Sequence, residues 1–300
     1  MSAMVPYDEM AYFHENAEEY GVPWTGPPTV RREAFPLRDG RKLSALVWGD
    51  GAPELVFLHG GAQNAHTWDT VALAIQRPLI AIDLPGHGHS DGPAASSIDP
   101  QGNAADVADV VRAAAPAAKG VIGMSLGGLT AIALGGLAPE LVRAMVLVDV
   151  TPGVNERKGS VIAEFINGPE SFPNFDEILA RTVEYNPTRT VSSLRRGILH
   201  NAVQREDGSW VWRYMRFRGA EQPAEAFREF GKLWDTVSGL KMPVMLVRGM
   251  RPQSVVDDDD EAELLRRLPN ARIEHVAEAG HSVQGDTPLE LARLITSFIP

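Results

Sequence analysis

Ser125 lies in the run Gly123-Met124-Ser125-Leu126-Gly127, a hydroxyl with a glycine two residues away on either side. A hydroxyl becomes a useful nucleophile only when a base takes its proton and donors stabilise the charge that follows. Gly-x-Ser-x-Gly alone is weak evidence, since a chain of this length holds one by chance about one time in ten. Its neighbours raise its weight. Lys119-Gly120-Val121-Ile122 reads as a buried strand entering the motif, and Leu126–Leu137 as an apolar helix leaving it. A sharp strand-to-helix turn forces the serine into strained dihedrals, and glycines at 123 and 127 remove side chains that would clash. Gly128 eases close packing of helix on strand. The turn also sets the hydroxyl at a helix N-terminus, where free N–H groups and the helix dipole favour an oxyanion.

Three other segments carry chemistry-bearing residues. They are Leu58-His59-Gly60-Gly61-Ala62, Asp83-Leu84-Pro85-Gly86-His87-Gly88-His89-Ser90, and Ala279-Gly280-His281-Ser282-Val283. With GMSLGG at 123–128, these four in this order resemble the α/β-hydrolase superfamily, from about Thr29 to Pro300. The resemblance implies an α/β-hydrolase fold: a mostly parallel central sheet, helices on both faces and a helical cap insertion. It implies Ser125 as nucleophile and His281 as base. It implies an oxyanion hole from the N–H groups of Leu126 and Gly61, with Ala62 as the alternative to Gly61. His59 is expected to buttress the oxyanion loop, and His87 and His89 to be structural. His275 falls inside a strand, while His14, His66 and His200 lack supporting context.

The acid that orients the imidazole is less plain. The superfamily commonly places it a few residues past the strand Val244–Val247. Here that stretch, Arg248 to Val256, contains no carboxylate, and the first one after it, Asp257, looks like a helix cap. A second location, used by haloalkane dehalogenases and some lactonases, is the end of the strand after the nucleophile helix. Asp149 stands there, in Val148-Asp149-Val150. Asp149 is favoured, with Asp257 left open.

A serine at 125 suits acyl transfer rather than displacement at saturated carbon, where the superfamily uses an aspartate. Esters, lactones, thioesters, amides and carbon–carbon bonds beside a carbonyl all stay open. The GMSLGG and HGG segments look most like the esterase, enol-lactonase and perhydrolase group, acting on a small, largely apolar substrate. A lyase or cofactor-free oxygenase using the same Ser–His site is the rival enzyme reading. A retired scaffold used for binding would have lost Ser125 or His281.

The elements that must position these residues follow from periodicity. Thr29–Leu37 and Lys42–Trp48 flank Asp39-Gly40, a hairpin signal. Leu55–Leu58, Leu79–Ile82, Gly120–Gly123, Ala144–Val148, Val244–Val247 and Ile273–Val276 read as buried strands. His66–Ile75, Gln101–Ala115, Ser125–Leu137, Asp257–Leu268 and Pro288–Phe298 carry helical spacing between them. Residues 29–150 and 241–300 are thus expected to form the core, and 1–28 a surface extension without chemistry. Residues 151–240 break the rhythm. Helical patterns at Phe175–Tyr185, Val191–His200 and Ala224–Val237 suggest a helical cap. Trp210, Trp212, Tyr214, Phe217 and Trp234 concentrate there, one or two of them expected to line a pocket.

Composition bounds the rest. The chain of 300 residues has no cysteine, which excludes disulfides, thiolate catalysis and cysteine-held metal centres. A net charge of -11 disfavours nucleic acid and anionic lipid as partners. The run Asp257-Asp258-Asp259-Asp260-Glu261 suits a helix N-terminus better than a metal or partner site. No phosphate loop, dinucleotide fingerprint or metal-ligand spacing is seen, so no cofactor or metal is implied and the expected partner is a small molecule. With no signal-peptide pattern or apolar span, a cytoplasmic location is expected.

Overall fold

The computed structural model describes residues 4–93, 99–154, 156–215 and 229–300. Along the chain run α1 (Phe13–Tyr20), β1 (Val30–Pro36), β2 (Lys42–Trp48), β3 (Leu55–Leu58), α2 (Asp69–Ile75), β4 (Leu79–Ile82), α3 (Pro100–Ala114) and β5 (Gly120–Met124). Next come α4 (Leu126–Leu137), β6 (Met145–Val148), α5 (Glu156–Ile166), α6 (Phe175–Tyr185), α7 (Val191–Asn201), β7 (Ala202–Gln204) and β8 (Trp210–Trp212). The chain then returns to the core through α8 (Leu233–Gly239), β9 (Val244–Gly249), α9 (Asp258–Arg267), β10 (Arg272–Val276), α10 (Val283–Asp286) and α11 (Pro288–Phe298).

Eight strands make one sheet in the order β1-β2-β4-β3-β5-β6-β9-β10. Only the β1–β2 and β2–β4 pairings are antiparallel. The other five pairs are parallel, as crossover helices require. The short apolar strands are buried on both faces because alternate residues point to opposite helix layers. On β3, Val56 and Leu58 join a core with α3 and α4, while Leu55 and Phe57 join one with α1, α2 and α11. Each such fully buried side chain contributes about 1.5–3 kcal/mol relative to exposure. The expected α/β-hydrolase architecture is borne out.

The N-terminal stretch holds a short helix, α1, packed on the core: Phe13 and Ala17 are buried and the Phe13 ring lies 4.9 Å from Trp48. The stretch 151–240, inserted between β6 and β9, contains α5, whose pattern the sequence reading passed over, and the short hairpin β7–β8. Phe172, Phe175 and Trp210 pack in a small core of its own, which takes in Trp210 of the five aromatics singled out in the sequence. Phe217 and the first part of the Ala224–Val237 pattern lie outside the described residues. Among the described residues no helix is long and apolar enough to cross a membrane.

Parallel register levels the strand ends. Leu58 pairs with Gly123, Met124 with Val148, and Val148 with Val247, so the segments that follow β3, β5, β6 and β9 emerge together at one edge. This is where open α/β sheets hold their ligands. The β5–α4 turn at that edge admits no side chain at its glycines. A Cβ on Gly127 would collide with the Leu58 and His59 carbonyls, and one on Gly123 with the Gly127 backbone. Backbone cannot rotate away as a side chain can. Gly127→Ala should therefore cost about 2–4 kcal/mol of stability, read as a lowered urea midpoint, or prevent soluble folding. A midpoint equal to that of the unaltered protein would show that the turn is looser than this packing implies.

Candidate active site

Ser125 has φ 51° and ψ −119°, a conformation that an L-residue adopts only under constraint. Such a backbone costs about 1–3 kcal/mol and persists because its surroundings over-determine it. Those surroundings are specific: Ser125 N–H donates to the Val148 carbonyl at 3.3 Å, and its own carbonyl accepts from Gly128 and Leu129. A Cβ on Gly60 would press against Ser125 Cβ, so the strand-end loop after β3 lies directly against the serine. Leu126 opens α4, and its N–H has no intrahelical acceptor.

The loop after β3, expected to carry an oxyanion donor, is held by two neutral imidazoles. His59, wholly buried, donates from Nδ1 to the Gly60 carbonyl at 2.7 Å and accepts the Leu84 N–H on Nε2 at 2.9 Å. His87 donates from Nδ1 to the Pro85 carbonyl and accepts the Ala62 N–H on Nε2 at 3.1 Å. Burial pushes both imidazoles down, His87 to about 3, which keeps Nε2 of each an acceptor. Gly60 N–H goes to Gln63 Oε1 at 3.2 Å. Between these two tied donors, Gly61 N–H has no acceptor among the described residues. Ala62, the alternative donor, sits at φ 59° with its N–H spent on His87 and its carbonyl accepting from Asn201 Nδ2 at 2.6 Å.

His281 Nδ1 lies 2.9 Å from Asp149 Oδ2. An ionised carboxylate only accepts, so Nδ1 carries the proton and the Nε2 lone pair is free. Asp149 is fully buried at φ 47° and takes three more donors. Oδ1 accepts from Gly249 N–H at 2.9 Å and Ser254 hydroxyl at 2.6 Å, and Oδ2 from Val255 N–H at 3.1 Å. The loop after β9, which lacks a carboxylate, thus supplies the donors that hold Asp149. Asp257 is engaged elsewhere. Its carboxylate caps α9 through Asp260 N–H at 3.1 Å and pairs with Lys158 at 2.7 Å. Partial burial pulls the Asp257 carboxyl up, but the Lys158 ammonium and the Asp260 N–H outweigh it and hold it below its ordinary range.

Ser125, His281 and Gly61 line one cavity of about 590 Å³, walled on the inserted side by Ile162, Ile166 and Trp212. Of the five aromatics singled out in the sequence, Trp212 lines it. Trp210 is in the insertion's core, Tyr214 packs on Ala62 and Ile166, and Trp234 stacks under Arg267. Among the described residues one group could hold a metal, His66 with Asp69 and His200. His66, however, already uses both ring nitrogens, on Asp69 at 2.9 Å and Glu9 at 3.0 Å. Its ring also stacks flat on His200 at 3.7 Å, so the lone pairs run parallel rather than converging. Burial opposes a charge on His66, but the two carboxylates prevail and raise it to about 9. The group is a buried ion network that joins the N-terminal segment to α7. Asn201, Ser254 and the His66–Glu9 pair had no local signal in the sequence, because their partners are more than fifty residues away.

The sequence model of the alpha/beta hydrolase family matches residues 55–294. The chain belongs to the alpha/beta hydrolase family. Esterase Rv0045c of Mycobacterium tuberculosis is 45% identical to this hydrolase over 300 residues, covering 97% of this chain and 96% of that one. A solved structure of that esterase superposes with a TM-score of 0.84 at 44% identity, covering 98% and 99% of the two chains. The pimeloyl-[acyl-carrier protein] methyl ester esterase of Nitrosomonas europaea is 32% identical over 249 residues, 78% of this chain and 90% of that one.

Replacing Asp149 by Asn should lower kcat by about 10³–10⁴-fold, because the amide NH₂ cannot accept the hydrogen bond that His281 Nδ1–H donates. It also points a donor at Val255 N–H, so a stability loss of about 1–3 kcal/mol should accompany it. Asp257→Asn should leave kcat within about threefold and lower only stability, since it touches a cap. The reverse ranking in steady-state assays would make Asp257 the acid. For His87 the unfolded imidazole binds a proton near 6.5 and the folded one only near 3. The unfolded chain therefore holds the extra proton between these values, and stability falls as pH drops from 6.5 toward 3, by up to about 1.4 kcal/mol per pH unit. Urea titrations of His87→Gln, which keeps an acceptor for Ala62, should show a shallower acid slope by about that amount.

Proposed function

We propose that this hydrolase cleaves a carboxylic ester of a small substrate through a serine acyl-enzyme. The observation that carries the reading is the buried Asp149–His281 pair, which leaves the Nε2 lone pair free in the cavity that Ser125 lines. Ser125 Oγ would attack the ester carbonyl while His281 Nε2 takes its proton. Charge developing on the carbonyl oxygen would accept from Leu126 N–H and Gly61 N–H, two backbone donors already fixed in place. His281 then passes the proton to the leaving alcohol. Water enters, gives a proton to His281 and attacks the acyl carbon, and Ser125 leaves with that proton. Asp149 holds the imidazole in one tautomer and stabilises the imidazolium at each stage.

A cavity of about 590 Å³ suits a small or medium substrate. Residues 151–240 are read as a cap, with α5 and Trp212 giving the acyl or alcohol group an apolar wall. Esterase activity of the 45%-identical relative agrees with this assignment. No cofactor enters any step.

Ser125→Ala should abolish hydrolysis of p-nitrophenyl acetate and labelling by a fluorophosphonate, with the far-ultraviolet circular dichroism unchanged. Retention of turnover by this variant would remove the serine from the mechanism.

A further inference from the structure

Arg189 stands in the turn between α6 and α7 and lines the same cavity as Ser125 and His281. Its turn is pinned to the segment that follows His281, where Thr188 Oγ1 donates to Asp286 Oδ1 at 2.8 Å. The guanidinium lies against Gly285, four residues past His281. A Cβ there would come within 3.0 Å of Cζ and Nε, so glycine makes room for the flat group.

This cation is nearly without partners. A guanidinium carries five N–H donors. Among the described residues the Arg189 guanidinium makes one bond, from Nη2 to Ser193 Oγ, while Nε is buried with no acceptor. No carboxylate lies within 4.0 Å of it among the described residues. The nearby acids are already engaged: Asp286 by Thr188 and Gly280 N–H, and Glu19 by Arg196 and Thr190. Arg196, two turns along α7, shows the contrast. Its Nε donates to Asn16, Nη1 to Ser192 and Nη2 to Glu19. Burial depresses the Arg189 guanidinium from its ordinary range, the opposite of what an ion pair does.

A desolvated cation without a counter-charge costs stability, and a protein gains from it only if something else completes the pair. A chain of net charge -11 would otherwise repel an anionic ligand. We propose that Arg189 receives a carboxylate carried by the substrate, so that the preferred ester is a half-ester of a small dicarboxylic acid. A single planar fork suits the two oxygens of a monoanionic carboxylate. The inference rests on the ester reading above and adds to it the polar end of the substrate.

The test compares the monomethyl esters of succinate, glutarate and adipate with methyl butyrate, valerate and caproate, which carry a methyl group in place of the acid. In Arg189→Met the acid-to-neutral ratio of kcat/KM should fall by about tenfold or more for the best pair, mainly through KM. Free succinate, glutarate or adipate at millimolar concentration should raise Tm of the native protein and of Ser125→Ala, but not of Arg189→Met. Without ligand, Arg189→Met should melt no lower than the native protein, since it removes an unpaired charge. A ratio unchanged in every pair, an equal diacid shift in Arg189→Met, or a drop in its ligand-free Tm would overturn the proposal. Loss of the catalytic reading is told apart by Ser125→Ala turnover, because the thermal shift needs no catalysis.

Discussion

The Asp149 carboxylate is the junction on which the catalytic edge depends. Four donors from two segments converge on its two oxygens: Gly249, Ser254 and Val255 from the end of β9 and the loop after it, and His281 from the segment after β10. A buried carboxylate is tolerable only when such donors replace its water. The same bonds that stabilise the charge therefore set where the β9 loop closes and which way the imidazole faces. Orientation of the His281 imidazole and solvation of the Asp149 carboxylate are one set of hydrogen bonds.

The oxyanion side uses a different device. In the proposed mechanism charge there develops only during reaction, so the donors must be fixed while unpaired. Neutral His59 and His87 hold the backbone on either side, and Asn201 reaches from the end of α7 to the Ala62 carbonyl. The inserted helices thus touch the catalytic loop through an amide, not only through apolar packing. The N-terminal segment braces the other end of this arrangement. Glu9 pairs with His66, whose ring lies on His200, next in the chain to Asn201.

Much of this was legible in the amino-acid order. Short Val, Ile and Leu runs revealed the strands because a strand covered on both faces has no polar side. Ser125 and His281 stood out because glycines punctuate the turns they occupy. Asp149 could be favoured over Asp257 because the β9 loop has no carboxylate and Asp257 precedes an acidic helix start; the capping box at Asp257 and Asp260 accords with that. What stayed hidden depends on distance in sequence. Nothing near Ser254 marks it as a donor to a carboxylate 105 residues earlier. Nothing near His66 or Glu9 marks a pair 57 residues apart. The insertion was harder still, since α5 has apolar residues on one face only and β7–β8 is too short to show alternation.

The separation of 132 positions between Asp149 and His281 also orders events in time. During synthesis the Ser125 turn, its strand and the Gly61 and Leu126 donors of the proposed mechanism leave the ribosome long before His281. Until β9, β10 and the loop beyond them dock, Ser125 is an ordinary alcohol and Asp149 lacks every donor that makes its burial tolerable. On the proposed mechanism a nascent or partly folded chain is therefore chemically silent, and reactivity arrives together with closure of the last two strands.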